Sequence, residues 1–424
     1  MTNYLQMSKE ELLIQKKLLE TKYQEFCDMN LNLDMSRGKP APIQLDLAMD
    51  MLNNTEYKCE NGFDTRNYGL LEGIPEAREF FAEIFGCDKN EVIVGGSASL
   101  QLMYIVMEMC YRLGVSKTEK AWKDCGTIKF LCPAPGYDRH FRITEHFGFE
   151  LITIPMTENG PDMDIVENLV ANDESIKGIW CVPKYSNPDG YTYSDETVKR
   201  FAKMQTKASD FRIFWDNAYL VHDIRETSDD LLHLLTECKK QGTENRVFEF
   251  CSTSKISFAG AGISALSACE ENIKYILDNM FPMLISFDKV NQLRHVKYFK
   301  NLDGVKKHMQ KHRAILEPKF DKVLEILNSE LSVCGDMVNW TTPNGGYFIS
   351  LYAPKNTAKN IVALCKKAGV VLTGAGAAYP YGKDENDSNI RIAPSFPPID
   401  ELTIASQLLA TCVKLEAVNQ LLNK

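Results

Sequence analysis

Between Glu91 and Ala268 the chain repeats one pattern, a short and almost unbroken apolar run followed by a longer, more polar stretch. The runs are Glu91–Val94, Ile128–Cys132, Leu151–Pro155, Gly178–Val182, Arg212–Trp215, Val247–Phe250 and Ile263–Ala268. Segments such as Leu100–Leu113 and Ser194–Lys207 between them are helix-compatible. Strands alternating with helices predict an α/β fold, a mostly parallel sheet of seven strands with helices on both faces. Sites on such sheets lie beyond the carboxyl ends of the strands, so the residues after each run are where chemistry is sought.

The ends of the chain have a different texture. Ser8-Lys-Glu-Glu11 fits a capping box, and Leu12, Leu19, Tyr23 and Phe26 follow at helical spacing. Asp34–Pro42 is too rich in Pro and Gly for a regular element, and its Arg37 and Lys39 flank Gly38. That loop suits either a close approach to an anion or plain solvation. After Glu270 the pattern turns helical through Ile273–Met280 and Phe287–Ser329. Val333–Asn339 and Gly346–Tyr352 then read as strands, Thr357–Ala368 as a helix, Ile390–Ala393 as a strand, and a last helix starts at Asp400. The expected division is an N-terminal helix and arm (1–50) packing with the small domain, a large α/β domain (51–300), and a small α+β domain (301–424).

Composition narrows the function. The chain has 424 residues, 44% apolar and 25% charged, as in ordinary globular proteins. Its 48 basic against 57 acidic residues give a net charge of −9, which argues against a nucleic-acid or membrane-surface binder. The 13 cysteines are scattered singly, without a C-x-x-C pair or a cysteine–histidine cluster at zinc spacing. Reduced thiols in a cytoplasmic protein and no metal site are therefore expected. No basic-then-apolar leader opens the sequence and no run approaches a membrane span.

The strand ends carry a consistent set of chemistries. Gly95-Gly96-Ser97-Ala98-Ser99 joins a strand to a helix, where exposed amides and the helix dipole favour a phosphate, although a plain capped turn reads the same way. Tyr137 stands in a loop fixed by Pro and Gly, and its ring would stack on a flat ligand or simply pack. Asn187 precedes Pro188. Asp216 follows an apolar run directly, a costly place for a carboxylate without a cationic partner. Lys255 comes just past Phe250-Cys-Ser-Thr-Ser254, where lost solvation makes an amine nucleophilic. The hydroxyls of Ser252 and Ser254 and the backbone at Gly260 and Gly262 would suit an anionic group beside it.

This order of phosphate turn, aromatic, asparagine, aspartate and lysine resembles the fold-type I, pyridoxal-phosphate-dependent class I aminotransferases. The resemblance extends to Tyr68-Gly-Leu-Leu-Glu-Gly73 with Arg78, to Asn344-Gly-Gly-Tyr-Phe348 and to Asn389-Ile-Arg-Ile392. Ser36-Arg-Gly-Lys-Pro40, Gln44-Leu-Asp-Leu47 and Asn291-Gln-Leu-Arg-His295 are similar to the MocR-type aspartate aminotransferase subgroup. The DNA-binding arm of MocR regulators would need some further segment ahead of the first helix, so a stand-alone enzyme is expected.

What the resemblance implies is a transaminase with pyridoxal 5'-phosphate as a covalent Schiff base to Lys255. Asp216 would keep the pyridine nitrogen protonated, Asn187 and Tyr219 would bond the ring oxygen, and Tyr137 would stack on the ring. Gly96, Ser97, Ala98 and Ser252 would hold the phosphate, with Tyr68 reaching over from the second subunit of a homodimer. Arg391 would clamp the substrate α-carboxylate near Asn187. Amino-acid and 2-oxo-acid substrates follow, aspartate and 2-oxoglutarate foremost. The alternatives are aromatic or aliphatic amino acids, or a lyase or synthase on the same fold. A non-catalytic sensor is disfavoured by the full set of residues. Ile263 departs from the family, since many relatives carry a phosphate-binding arginine eight residues after the lysine; Arg294 or Lys39 would have to compensate. For a distal substrate carboxylate, Arg294 is the first candidate, then Arg37 beside Gly38.

Overall fold

The computed structural model describes residues 3–423. The apolar runs assemble into one mixed sheet in the order Val92–Val94, Ser264–Ser267, Val247–Ser252, Arg212–Asp216, Ile176–Cys181, Lys129–Ala134, Glu150–Thr157 and Gly160–Pro161. Seven of these strands correspond to the seven runs. The eighth, Gly160–Pro161, is a two-residue antiparallel pairing on Met156–Thr157, too short to leave an apolar signature. The central pairings are parallel, whereas Ser264–Ser267 runs antiparallel to both of its neighbours.

Within each run, successive side chains go to opposite faces and both faces are covered, which is why the runs are continuously apolar. Phe130, Trp180, Phe214 and Phe248 pack with the helix Ser99–Leu113. Leu131, Ile179, Ile213 and Trp215 pack on the other side with Met163–Asn172, Asp195–Lys203 and Leu234–Gln241.

The C-terminal third builds a three-stranded antiparallel sheet from Asn339–Trp340, Ile349–Tyr352 and Asn389–Ile392. The helices Leu302–Leu331, Ala358–Lys367 and Ile399–Leu422 pack around it. Two expectations change here. Ser332–Met337 forms a 3-10 turn rather than a strand, because Gly335 takes a left-handed conformation (φ 55°) that an extended chain cannot contain. The span Phe287–Ser329 breaks into two helices, Lys289–Phe299 and Leu302–Leu331, at Lys300 (φ 69°).

The N-terminal helix Lys9–Asp28 has the capping box read from sequence: Ser8 Oγ accepts from Glu11 N–H, and Glu11 accepts from Ser8 N–H. Leu12, Leu19, Tyr23 and Phe26 are its buried face, sharing a core with Ile399–Leu422. Tyr23 Oη also donates to the Leu364 carbonyl at 3.0 Å. Leu33–Asp34 then pairs in parallel with Val370–Val371, a contact that sets the course of the Arg37–Lys39 loop beyond it.

Candidate active site

The backbone ladder lines up the strand ends. Cys181 pairs with Trp215, Asp216 with Phe250, and Ser252 with Ser264, while Gly95 N–H donates to the Ser264 carbonyl at 2.7 Å. Beyond these ends lies a cavity of about 250 Å³. Asn187, Asp216, Ala218, Tyr219, Lys255 and Tyr137 line it from the large sheet, and Arg37, Gly38, Lys39, Phe348 and Arg391 from the arm and the C-terminal third. Asp138, Arg139 and Val182 complete the lining.

Asp216 is only 2% exposed. Its Oδ2 lies 3.0 Å from His140 Nε2, and its Oδ1 is buried with no hydrogen-bond partner among the described residues. His140 is held in turn: it stacks on Trp180 (4.4 Å between centroids), whose Nε1 donates to Thr144 Oγ1 at 2.8 Å. An orphaned carboxylate oxygen facing a cavity calls for a donor supplied from outside the chain.

Lys255 Nζ sits 4.8 Å from the centre of the Tyr219 ring. Desolvation pulls its pKa below the ordinary lysine value, and the Asp216 charge opposes that shift. Burial pushes the Tyr219 hydroxyl well up and the Tyr137 hydroxyl to about 12, so both stay protonated.

Arg391 comes from the strand Asn389–Ile392, paired with Ser350, and reaches across to the large sheet. Its Nη1 donates to Asn187 Oδ1 at 3.2 Å and meets Asp138 Oδ1 at 3.4 Å, and its Nη2 donates to Thr373 Oγ1 at 3.3 Å. The guanidinium lies 4.9 Å from the Phe348 ring centre, and its Nε is buried without a partner. Gly38 is small for a steric reason: a Cβ there would come within 2.4 Å of the Phe348 ring.

Other sequence candidates lie outside this lining. Gly96, Ser97, Ala98 and Ser252 are beside it, where Ser252 Oγ donates to Ser254 Oγ (3.1 Å) and Ser254 Oγ to the Ser97 carbonyl (2.9 Å). That chain ties the start of the helix Ser99–Leu113, which has no side-chain cap, to the lysine turn. Ile263 is buried in an apolar cluster with Val92 and Leu293, a setting that excludes an arginine. Arg294, on Lys289–Phe299, does not line the cavity, although its Nε is buried without a partner. Lys39 Nζ stands 3.9 Å over the Phe396 ring. Tyr68 is 76% exposed and away from the lining.

Sequence reasoning missed His140, Thr373 and Arg139. His140 lies one residue from Arg139 in the first turn of Asp138–His146, just after the Pro-Gly-Tyr loop, so a search of helix starts beyond strand ends would have reached both. Thr373 has no local signal.

The chain matches the family model described as "Aspartate amino-transferase" over residues 7–424. It is 44% identical over 408 residues to an aspartate aminotransferase of Corynebacterium glutamicum, covering 96% of this chain and 94% of that one. It is also similar to a crystal structure of an aspartate transaminase from Corynebacterium glutamicum, with a TM-score of 0.96, 42% identity and 99% of each chain covered. The fold is shared with an alpha-aminoadipate aminotransferase of Thermus thermophilus, complexed with N-(5'-phosphopyridoxyl)-L-leucine. There the TM-score is 0.74 at 19% identity, over 98% of this chain and 96% of the other.

Proposed function

This chain belongs to the aspartate aminotransferase family and is an aminotransferase, and on that premise we propose that it moves the amino group of L-aspartate to a 2-oxo acid such as 2-oxoglutarate. The proposed cofactor is pyridoxal 5'-phosphate, held covalently at Lys255. The observation that carries this is the pairing of a desolvated lysine with a buried carboxylate oxygen that has no partner among the described residues, both on one cavity.

The residues present fit the cofactor. Asp216 Oδ1 supplies the acceptor that a protonated ring nitrogen needs, and His140 fixes the carboxylate through Oδ2. When bound, the cofactor's ring takes up the electron pair left as the substrate Cα proton departs. Lys255 would hold the cofactor's aldehyde and, once released by the substrate amine, take and return that proton, a task its lowered pKa suits. Asn187 and Tyr219 would bond the ring oxygen, and Tyr137 would cover the ring. The uncapped helix start with Gly96, Ser97, Ala98 and Ser252 would hold the phosphate.

Arg391 would bind the substrate α-carboxylate, its orientation set by Asn187 and Thr373 and its Nε free to donate. Besides Lys255, four cationic side chains line the cavity (Arg37, Lys39, Arg139, Arg391) against two carboxylates (Asp138, Asp216). That excess favours a substrate with two carboxylates, with Arg37 for the distal one.

We also propose a homodimer, supported by Tyr68 at 76% exposure and by the exposed Phe281 (71%), Met283 (53%) and Ile285 (52%). Thirteen free cysteines support a cytoplasmic location. The proposed parts remain the arm 1–50, a large domain 51–300 and a small domain 301–424.

The test is the visible absorbance of the protein loaded with pyridoxal phosphate. L-Aspartate should bleach the band and 2-oxoglutarate should restore it. No band in the wild type, or a band that persists in Lys255→Ala, overturns the cofactor assignment. A band that ignores aspartate but answers an aromatic or aliphatic amino acid overturns the substrate alone.

A further inference from the structure

The backbone of the lysine turn is held by a buried network that the proposed chemistry does not use. Gln44 is 0% exposed and sits in the short helix Pro42–Asp46, five residues after Lys39 on the arm that reaches the cavity. Its Oε1 accepts from Ala41 N–H at 3.0 Å, which leaves Nε2 for its other two contacts, His312 Nδ1 and Tyr347 Oη, each at 3.1 Å. An amide nitrogen only donates, so His312 Nδ1 accepts and the neutral ring carries its proton on Nε2. Burial lowers the pKa of both His308 and His312, the latter to about 4, so both rings are neutral near pH 7.

The two branches from Gln44 end on consecutive carbonyls. Tyr347 Oη donates to the Lys255 carbonyl at 3.4 Å. His308 Nε2 donates to the Ile256 carbonyl at 2.9 Å and so cannot accept from His312 Nε2, 3.1 Å away; His312 instead turns its own Nε2–H toward the same carbonyl. One side chain thus orients a donor toward each of the two carbonyls that follow the Lys255 Cα. Its partners lie 268 and 303 residues away in sequence.

We propose that Gln44 is a positioning residue for Lys255, coupling the arm that lines the cavity to the backbone of the lysine turn through Tyr347 and His312. The proposal rests on Lys255 being the reactive amine. It requires the donor capacity of Nε2 and not merely the cap on Ala41.

Gln44→Glu separates these roles, because its side chain keeps the acceptor for Ala41 N–H but has at most one proton to give and cannot donate to Tyr347 and His312 together. The measurements are steady-state kinetics of the cofactor-loaded protein with aspartate and 2-oxoglutarate, and amide hydrogen exchange of the cofactor-free protein by mass spectrometry. In Gln44→Glu and Gln44→Leu, kcat should fall about 10- to 100-fold while KM for aspartate stays within about twofold. Exchange should quicken in the 253–258 segment and not across the large sheet. If either variant fails to fold, Tyr347→Phe, which removes the donor to the Lys255 carbonyl and with it the acceptor for Gln44 Nε2, should show the same signs at smaller size.

A Gln44→Glu protein with wild-type kcat and wild-type exchange at 253–258 overturns the proposal. So does exchange that rises throughout the molecule, which marks a purely structural role. Absence of the visible band in the wild type would instead remove the reading of Lys255 and this proposal with it, whereas the exchange result on cofactor-free protein stands apart from that failure.

Discussion

The floor and the roof of the cavity are built by different means. The floor residues Asn187, Asp216, Tyr219 and Lys255 lie at or beyond strand ends whose relative positions are fixed by parallel ladders. The roof residues Arg37, Gly38, Phe348 and Arg391 come from the arm and the C-terminal third, and side-chain packing places them. Gly38 lies under the Phe348 ring and Arg391 bridges Asn187 and Thr373. A ladder positions a residue by counting along a strand, whereas packing positions it only once the whole shape has formed. The proposed chemistry therefore falls on the floor, and the proposed recognition on the roof.

Substituting the floor should affect the chemical step most. In Asp216→Ala the bond to His140 is lost along with the acceptor at Oδ1. We expect kcat to fall about 10³-fold with secondary structure intact by circular dichroism, as when a preorganised electrostatic partner is removed. A loss below about tenfold would mean that the floor does not hold the ring as proposed.

A roof substitution should show in binding first. Arg391→Lys replaces a fork held by Asn187 and Thr373 with a point charge that cannot keep both and still grip a carboxylate in two places. The expected change is about a 10²-fold loss in kcat/KM for aspartate, mostly in KM, which steady-state kinetics would resolve. A drop confined to kcat would place Arg391 with the floor and break the comparison.

The smallest effect comes from the floor sheet away from the cavity. Glu249 lies on the same strand that leads to Lys255, is fully buried, and has its pKa raised to about 8 by desolvation. Between about pH 4.5 and pH 8 the unfolded chain loses this proton before the folded one does. The folded state then holds more protons, so stability falls as pH rises through that window and stays lower above it. Glu249→Gln should remove that decline and raise Tm at pH 8 by roughly 2–4 °C, with kcat unchanged. Differential scanning calorimetry at pH 5 and pH 8 checks the sign; an equal Tm difference at both would reject it.

Much of the floor was legible from residue types and spacing. Asp216 stands directly after an apolar run and Lys255 a few residues past one, and each run became a strand at its expected place. The N-terminal helix was equally readable, down to its cap and its four buried side chains, because caps and helical periodicity are local. The 3-10 turn at Ser332–Met337 was not, since a run containing Val333, Val338 and one glycine is compatible with a strand until the left-handed backbone at Gly335 is known. His140 was missed for a related reason: a histidine in the first turn of a helix is ordinary until the fold brings Asp216 to 3.0 Å from it.

By itself the sequence determined the alternation that makes the sheet, the positions of the lysine and aspartate at its strand ends, and the helix that opens the chain. Each of these depends on neighbours within a few residues, through side-chain period, capping and turn chemistry. Only the tertiary structure decided which groups hold those residues in place. Arg391 meets Asn187 across 204 positions and Gln44 meets His312 across 268. No local pattern encodes such contacts, because a buried donor and acceptor find one another only after the apolar cores have closed around them.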